Sequence, residues 1–346
     1  WTTQGAQGGE AGINWANCYY DYPMIAHRIA LRVCSTEAYE AFLASGRHLL
    51  HVDIAHKLRD PDHRDTGGMY CIAPYHTSGR PDQAWMWING TLDYYHATGD
   101  PFALEKAIGL GRCEQRLLER NHWDGGSPRQ SATPIRIFSM LYYETHDPQW
   151  LALADRMVAT NATRIAEWGT IDEPTVQAVT TGRKTFMMGV LAMAYYYYYR
   201  CTGRPAGKEY VERIARDVIN ANLTHAGQLV YIDGSAGSRG SAVPLPIHPP
   251  TAAYDLTGNA DYLRAILPCF RKSLQLPPAS PEAAIVFDNG HYAHGSGALG
   301  LAHNGPTLVK LYAGLFDAGL VDADLDFVWH LEGSGYHHPR LETRHE

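Results

Sequence analysis

The chain has 346 residues, 45% of them hydrophobic and 19% charged, a balance that supplies a substantial core and excludes a disordered polypeptide. Its formal net charge of -7 opposes a broad electrostatic grip on nucleic acid or on an anionic membrane surface, so neither is expected as a partner. The longest apolar stretch, Phe186 to Tyr199, is too short to span a bilayer and ends in five tyrosines that each need a partner for a hydroxyl.

The chain opens at Trp1 with neither a charged n-region nor an apolar h-region, so any targeting segment is expected to have been removed or to lie outside it. The compartment is left undetermined, a secreted or periplasmic one being favoured over the cytoplasm. The six cysteines (Cys18, Cys34, Cys71, Cys113, Cys201 and Cys269) show no CxxC spacing and read mostly as buried small hydrophobes.

An internal repeat organises the rest. Its unit is an aromatic helix end, a short Thr-Gly or Ser-Gly turn, and a second helix. The first turn is read at Ala44-Ser45-Gly46-Arg47. His48, His51, Asp53 and His56 follow at helical spacing, then the acidic loop of Asp60, Asp62 and Asp65; neither fits a specific zinc or EF-hand pattern, and no metal is expected. A loop from Tyr75 to Arg80 leads into an apolar inner helix over Ala84 to Tyr95, on which Trp85 and Asn89 share a face. The turn Thr98-Gly99-Asp100 closes it, and an amphipathic outer helix runs from Phe102 to Leu118.

The same order repeats downstream. The loop Asn121 to Gln130 precedes an inner helix over Ile135 to Tyr143, the turn Thr145-His146-Asp147 and an outer helix over Trp150 to Ala166. The loop Thr180 to Lys184 precedes the inner helix Thr185 to Tyr199, the turn Thr202-Gly203-Arg204 and the outer helix Tyr210 to Ala221. Strands are expected only at Gln228 to Ile232 and Ala284 to Phe287. The loop Gly234 to Arg239, the turn Thr257-Gly258-Asn259, the pair His291 and His294, and a sixth hairpin over Gly305 to Trp329 complete the reading.

Turns about fifty residues apart match the length of two helices and two connections. The expected fold class is therefore all-α: one (α/α) toroid or barrel domain over residues 1–346, of about six helical hairpins with minor β ribbons. An open solenoid is the structural rival. Closure is favoured because inner helices that are apolar nearly all round want neighbours on both sides.

Inner helices of a toroid begin at one end, so the loops before them line a shared cleft. Arg80, Arg129, Arg183 and Arg239 stand 16 to 19 residues before the four later turn threonines, at equivalent places in successive hairpins. Together with free N–H groups at helix N-termini they are suited to a carboxylate. Tyr75, His76 and His122 are candidate acid and base groups beside them. Trp85, Trp87, Asn89 and Trp123 are candidate sugar-binding side chains, as are the carboxyls Asp65 and Asp124. The 22 Tyr, 8 Trp and 18 His offer many flat, hydrogen-bonding surfaces for sugar rings. No Walker loop, GxSxG elbow or GxGxxG after a strand occurs, and no cofactor is expected.

Asp65-Thr66-Gly67-Gly68, Trp85-Met86-Trp87, Tyr94-Tyr95 with Thr98-Gly99-Asp100, and His122-Trp123 with Arg129-Gln130 resemble the helical toroid domain of the rhamnogalacturonan exolyase (YetA-like) group of polysaccharide lyases. The resemblance covers about residues 45–145. It implies a helical toroid and lyase action on an acidic polysaccharide. The additional β-rich domains usual in that group have no counterpart in the sequence.

The expected function is cleavage of a uronate-containing glycan by β-elimination, with an acidic oligosaccharide or polysaccharide as partner. His76, His122 or Tyr75 would move protons while Arg80, Arg129 and Arg183 hold the carboxylate. A glycoside hydrolase of the six-hairpin type would instead need two carboxyls across the bond, drawn from Asp65, Asp124, Asp172, Glu173, Asp233 and Asp288. A non-catalytic glycan-binding toroid is the third reading.

Overall fold

The computed structural model describes residues 5–6, 13–15, 21–56, 65–70, 73–74, 81, 83–168, 185–223, 247–267, 313–315, 317–319, 325–328, 331–332, 335–336 and 340–343. The chain divides into two compact units, Trp1–Glu173 with Tyr197–Arg204, and Pro174–Tyr196 with Pro205–Glu346.

The first unit is a series of helical hairpins. Helices α1 (Tyr22–Val33) and α2 (Thr36–His48) form the first, α3 (Asn89–Thr98) and α4 (Pro101–Arg120) the second, and α5 (Pro128–Thr145) and α6 (Pro148–Trp168) the third. The small strands β1 (Gly5–Ala6), β2 (Ile13–Trp15) and β3 (Ala73–Pro74) form one antiparallel sheet in the order β1-β2-β3. The core lies between odd-numbered and even-numbered helices: Met24, Phe42, Trp87, Leu110, Phe138 and Leu141 are all buried. Inner helix α5 is buried along nearly its whole length, from Pro128 to Leu141, whereas α4 alternates buried and exposed positions as an outer helix does.

Each turn is built from the same local chemistry. Thr98 and Thr145 donate their hydroxyls to Tyr94 O and Leu141 O, both at 2.7 Å, and accept from the backbone N of Asp100 at 3.2 Å and Asp147 at 3.3 Å. The left-handed residue between is Gly99, at φ 70°, or His146, at φ 56°. Asp100 and Asp147 then cap the next helix, each accepting an N–H at 2.9 Å.

In the second unit, α7 (Thr185–Thr202), whose last residues belong to the first unit, precedes α8 (Pro205–Asp217), and α9 (His248–Thr257) precedes the helical residues 261–267. Tyr195 of α7 stacks on Tyr210 of α8 at 4.6 Å between ring centroids, and Tyr196 donates to Asp255. The turn at Gly258 repeats the pattern, with Thr257 donating to Ala253 O at 2.7 Å. Near the end of the chain, β4 (Leu325–Val328) pairs antiparallel with β7 (Arg340–Thr343), and β5 (Leu331–Glu332) with β6 (Gly335–Tyr336).

Three expectations need correction. Ala44 to Arg47 is not a turn but the last stretch of α2; the first turn is at Cys34, left-handed at φ 51°, with Ser35 capping α2 through Ala38 N at 3.1 Å. Gly46 is there because the Tyr94 ring lies against it, where an added Cβ would meet Tyr94 Cδ2 at 2.3 Å. The segment Ala84 to Tyr95 is not one helix: Gln83–Trp85 is a single 3-10 turn, Met86 to Ile88 is irregular, and α3 begins at Asn89. Trp85 and Asn89 thus share no helix face. The hairpin expected over Gly305 to Trp329 contains strand β4 at its far end, because Leu325–Val328 pairs with β7. Cys34 is exposed, unlike buried Cys113. The strands expected at Gln228 to Ile232 and Ala284 to Phe287 lie outside the described residues.

Candidate functional site

The first unit gathers buried and half-buried charge along α1, α3 and α5. Asp21 caps α1 and accepts Met24 N at 3.4 Å and, across to α3, Gly90 N at 2.8 Å. Ile88 gives α3 no side-chain cap, so Asp21 supplies that acceptor in trans. Gly90 is required for this approach, since a Cβ there would meet Asp21 Oδ1 at 2.2 Å. Burial pushes the Asp21 carboxyl up to about 6, against the pull of the Gly90 hydrogen bond and Arg136.

Two guanidinium groups of α5 lie against the Trp85-Met86-Trp87 segment. Ser127 and Gln130 form a reciprocal capping box at the start of α5, which fixes the adjacent Arg129. Arg129 Cζ sits 3.5 Å from the Trp85 ring centroid and 5.8 Å from that of Trp87. Arg136 Cζ lies 4.3 Å from Trp87, and its Nη2 donates to Met86 O at 3.4 Å. Both arginines are almost fully enclosed, at 5% and 2% exposure. Burial pushes Arg136 down to about 10; Asp21 and Tyr197 oppose the shift, while the neighbouring charges of Arg129 and Arg28 add to it.

Half-buried Arg28 of α1 donates to the Tyr197 hydroxyl of α7 at 3.3 Å. Burial works to lower its pKa, but Tyr197, Asp93 and Asp21 outweigh that effect and raise it. Asp93 is 3.4 Å from His27 Nδ1. Three cations therefore influence one another around two carboxyls, an arrangement suited to an anionic group.

Of the residues expected from sequence, Arg129, Trp85 and Trp87 come together here, and Asn89, two residues after Trp87, is buried at the start of α3. Trp87 is core, at 1% exposure, while Trp85 is half-buried with Arg129 on its ring. His122 and Trp123 follow α4 in consecutive left-handed conformations, φ 53° and 64°. Trp123 is buried with Arg156 3.8 Å from its ring centroid, whereas His122 is exposed. Asp124 accepts Gly126 N at 2.9 Å. Asp65 lies 3.8 Å from Arg120 and its carbonyl accepts Gly68 N, which ties down the 65–68 turn. Tyr75, His76, Arg80, Arg183 and Arg239 lie outside the described residues, as do Asp172, Glu173, Asp233 and Asp288.

Asp21, Arg28, Arg136 and Tyr197 escaped the sequence reading, although Asp21 before Tyr22-Pro23 has the form of a helix start. Among the described residues no group of three or more His, Cys, Asp or Glu could hold a metal ion. His51 stacks on Phe102 at 4.9 Å and His56 Nε2 lies 3.1 Å from Leu50 O, which gives both packing roles. Among the same residues no helix is long and apolar enough to cross a membrane.

No family model and no curated protein matches the sequence. Solved structures do match in fold. A sugar epimerase from a ruminal bacterium is 13% identical, covers 89% of each chain and gives a TM-score of 0.63. A polysaccharide lyase is 14% identical over 91% of this chain and 93% of its own, with a TM-score of 0.61. A D-mannose isomerase is 13% identical over 88% and 89%, with a TM-score of 0.57. The chain shares with these proteins the all-α fold of an (α/α) toroid built from helical hairpins.

Proposed function

We propose that the protein is a carbohydrate-processing enzyme that takes an acidic sugar at the Arg129 site and cleaves a uronate-containing glycan by β-elimination. The observation that carries this reading is the enclosed pair Arg129 and Arg136 against Trp85 and Trp87, Arg129 in the first turn of α5 and Arg136 near its middle. A guanidinium held 3.5 Å from an indole centroid is positioned for a carboxylate before charge develops. The polysaccharide lyase among the similar folds and the resemblance to the rhamnogalacturonan exolyase group support the same reading.

In that reaction a base removes the proton on the carbon alpha to the carboxylate. The C–H electrons form a C=C bond, the bond to the glycosidic oxygen breaks, and that oxygen leaves with a proton from an acid. Arg129 offsets the negative charge that builds on the carboxylate, and Trp85 keeps Arg129 in place. His122, exposed after α4, is one proton-transfer candidate, with Tyr75 and His76 the others. Of the carboxyls a hydrolase could use, Asp65 and Asp124 are engaged with Arg120 and Gly126, and the other four lie outside the described residues.

The test is incubation with a panel of acidic polysaccharides while following ultraviolet absorbance of an unsaturated uronate. Elimination produces that absorbance; new reducing ends without it indicate hydrolysis, and an interconverted sugar indicates an epimerase or isomerase. Arg129→Ala should lower turnover by about 100-fold, and Arg129→Lys, which keeps charge but loses the planar stack, by about 10-fold. Unaltered rates in both variants refute the role given to Arg129.

A further inference from the structure

Asn89 is the first residue of α3 and only 3% exposed, yet its Oδ1 has no hydrogen-bond partner among the described residues. Two residues earlier is Trp87, which packs on Arg136; the next residue is Gly90, bonded to Asp21. Asn89 is therefore bracketed in the chain by two residues that touch the charged cluster. A buried amide oxygen without a donor costs stability, because folding removes its water and returns nothing. Its natural complement is an O–H, and a sugar ring presents several.

We infer that Asn89 is a specificity-determining residue of the site, accepting a hydroxyl of the same acidic sugar whose carboxylate Arg129 holds. The inference rests on the proposal that the site takes an acidic sugar, but not on how that sugar reacts. The ligand class is a hexuronate: a carboxylate for the guanidinium, and a ring hydroxyl for the amide oxygen. Thr91 gives an internal comparison. Its Oγ1 is also buried, at 1% exposure, and without a partner, but it lies two positions along the helix on a different face from Asn89.

Thermal denaturation of the full chain with galacturonate or glucuronate, and with neutral galactose or glucose, tests this. Wild type should gain Tm with at least one uronate and less with the neutral sugars. Asn89→Leu, which replaces an orphaned acceptor by an apolar side chain of similar size, should raise the Tm of the free protein by about 2 °C and abolish the uronate response. Thr91→Val should raise the free Tm similarly and keep that response. A uronate response retained in Asn89→Leu, a lower free Tm for that variant, or no uronate response in wild type overturns the inference. A uronate response that depends on Asn89, without any unsaturated product from polysaccharides, leaves the inference standing and refutes the elimination reading.

Discussion

Asp21 serves two peptide groups at once, Met24 N in its own helix and Gly90 N in α3, and this double use fixes where its charge sits. A carboxyl in that position is held by geometry but starved of water, so burial raises its pKa from 3.8 to about 6. The sign of the consequence follows from linkage. Between those values the folded chain binds the proton more tightly than the unfolded one, so stability falls as pH rises from about 4 to 6 and then levels off. The loss across that window is about 3 kcal/mol, from the two-unit shift. Asp21→Asn keeps an acceptor for Gly90 N and carries no charge, so it should flatten the slope. Urea midpoints of both proteins at intervals from pH 4 to 8 check this; parallel curves would show that Asp21 does not set the dependence.

The helices carry a register that explains how distant residues meet. Asn89 and Arg136 each stand nine residues before the threonine that ends their helix, Thr98 and Thr145. Arg28, Asp93 and Tyr197 each stand five residues before the last residue of α1, α3 and α7. Equivalent positions in successive inner helices fall at one level, which is why Arg28 reaches Tyr197 across 169 residues of chain. The threonine turns that set this level were legible, because a helix needs a left-handed closing residue and the next needs a cap. The Ser45-Gly46 pair has the letters of such a turn, but its glycine answers to the Tyr94 ring, a tertiary contact that local sequence does not encode. Trp85 departs from the helix that its apolar pattern predicts for a related reason: its surroundings are set by Arg129, 44 positions on. The turn chemistry itself is testable. His146 holds the left-handed place that Gly99 holds elsewhere, so His146→Gly should add about 1 kcal/mol and Gly99→Ala should cost about 1 kcal/mol. Chemical denaturation measures both, and Gly99 is a clean probe because nothing lies within 4 Å of an added Cβ.

At the scale of the whole molecule, the fifty-residue turn repeat foretold the helical fold and composition the aromatic supply, while the site was only partly legible, because burial cannot be read from the identity of an arginine. The net charge of -7 and the buried pair Arg129 and Arg136, with half-buried Arg28 beside them, act at different ranges. Over distances up to roughly one Debye length, about 10 Å at 0.1 M salt and longer at lower salt, the net charge of the protein repels an acidic glycan. Within the site, enclosed guanidinium groups attract a carboxylate through contacts that salt screens far less. Only the first effect depends strongly on ionic strength. If a basic surface captured the polysaccharide, KM would rise steeply with salt. With capture confined to the buried arginines, salt chiefly weakens the long-range repulsion, so KM for an acidic polysaccharide should stay flat or fall about two-fold between low and physiological ionic strength. Initial rates over a salt series decide it: a steep rise in KM would place the binding charge on the surface and remove Arg129 from the central role given to it.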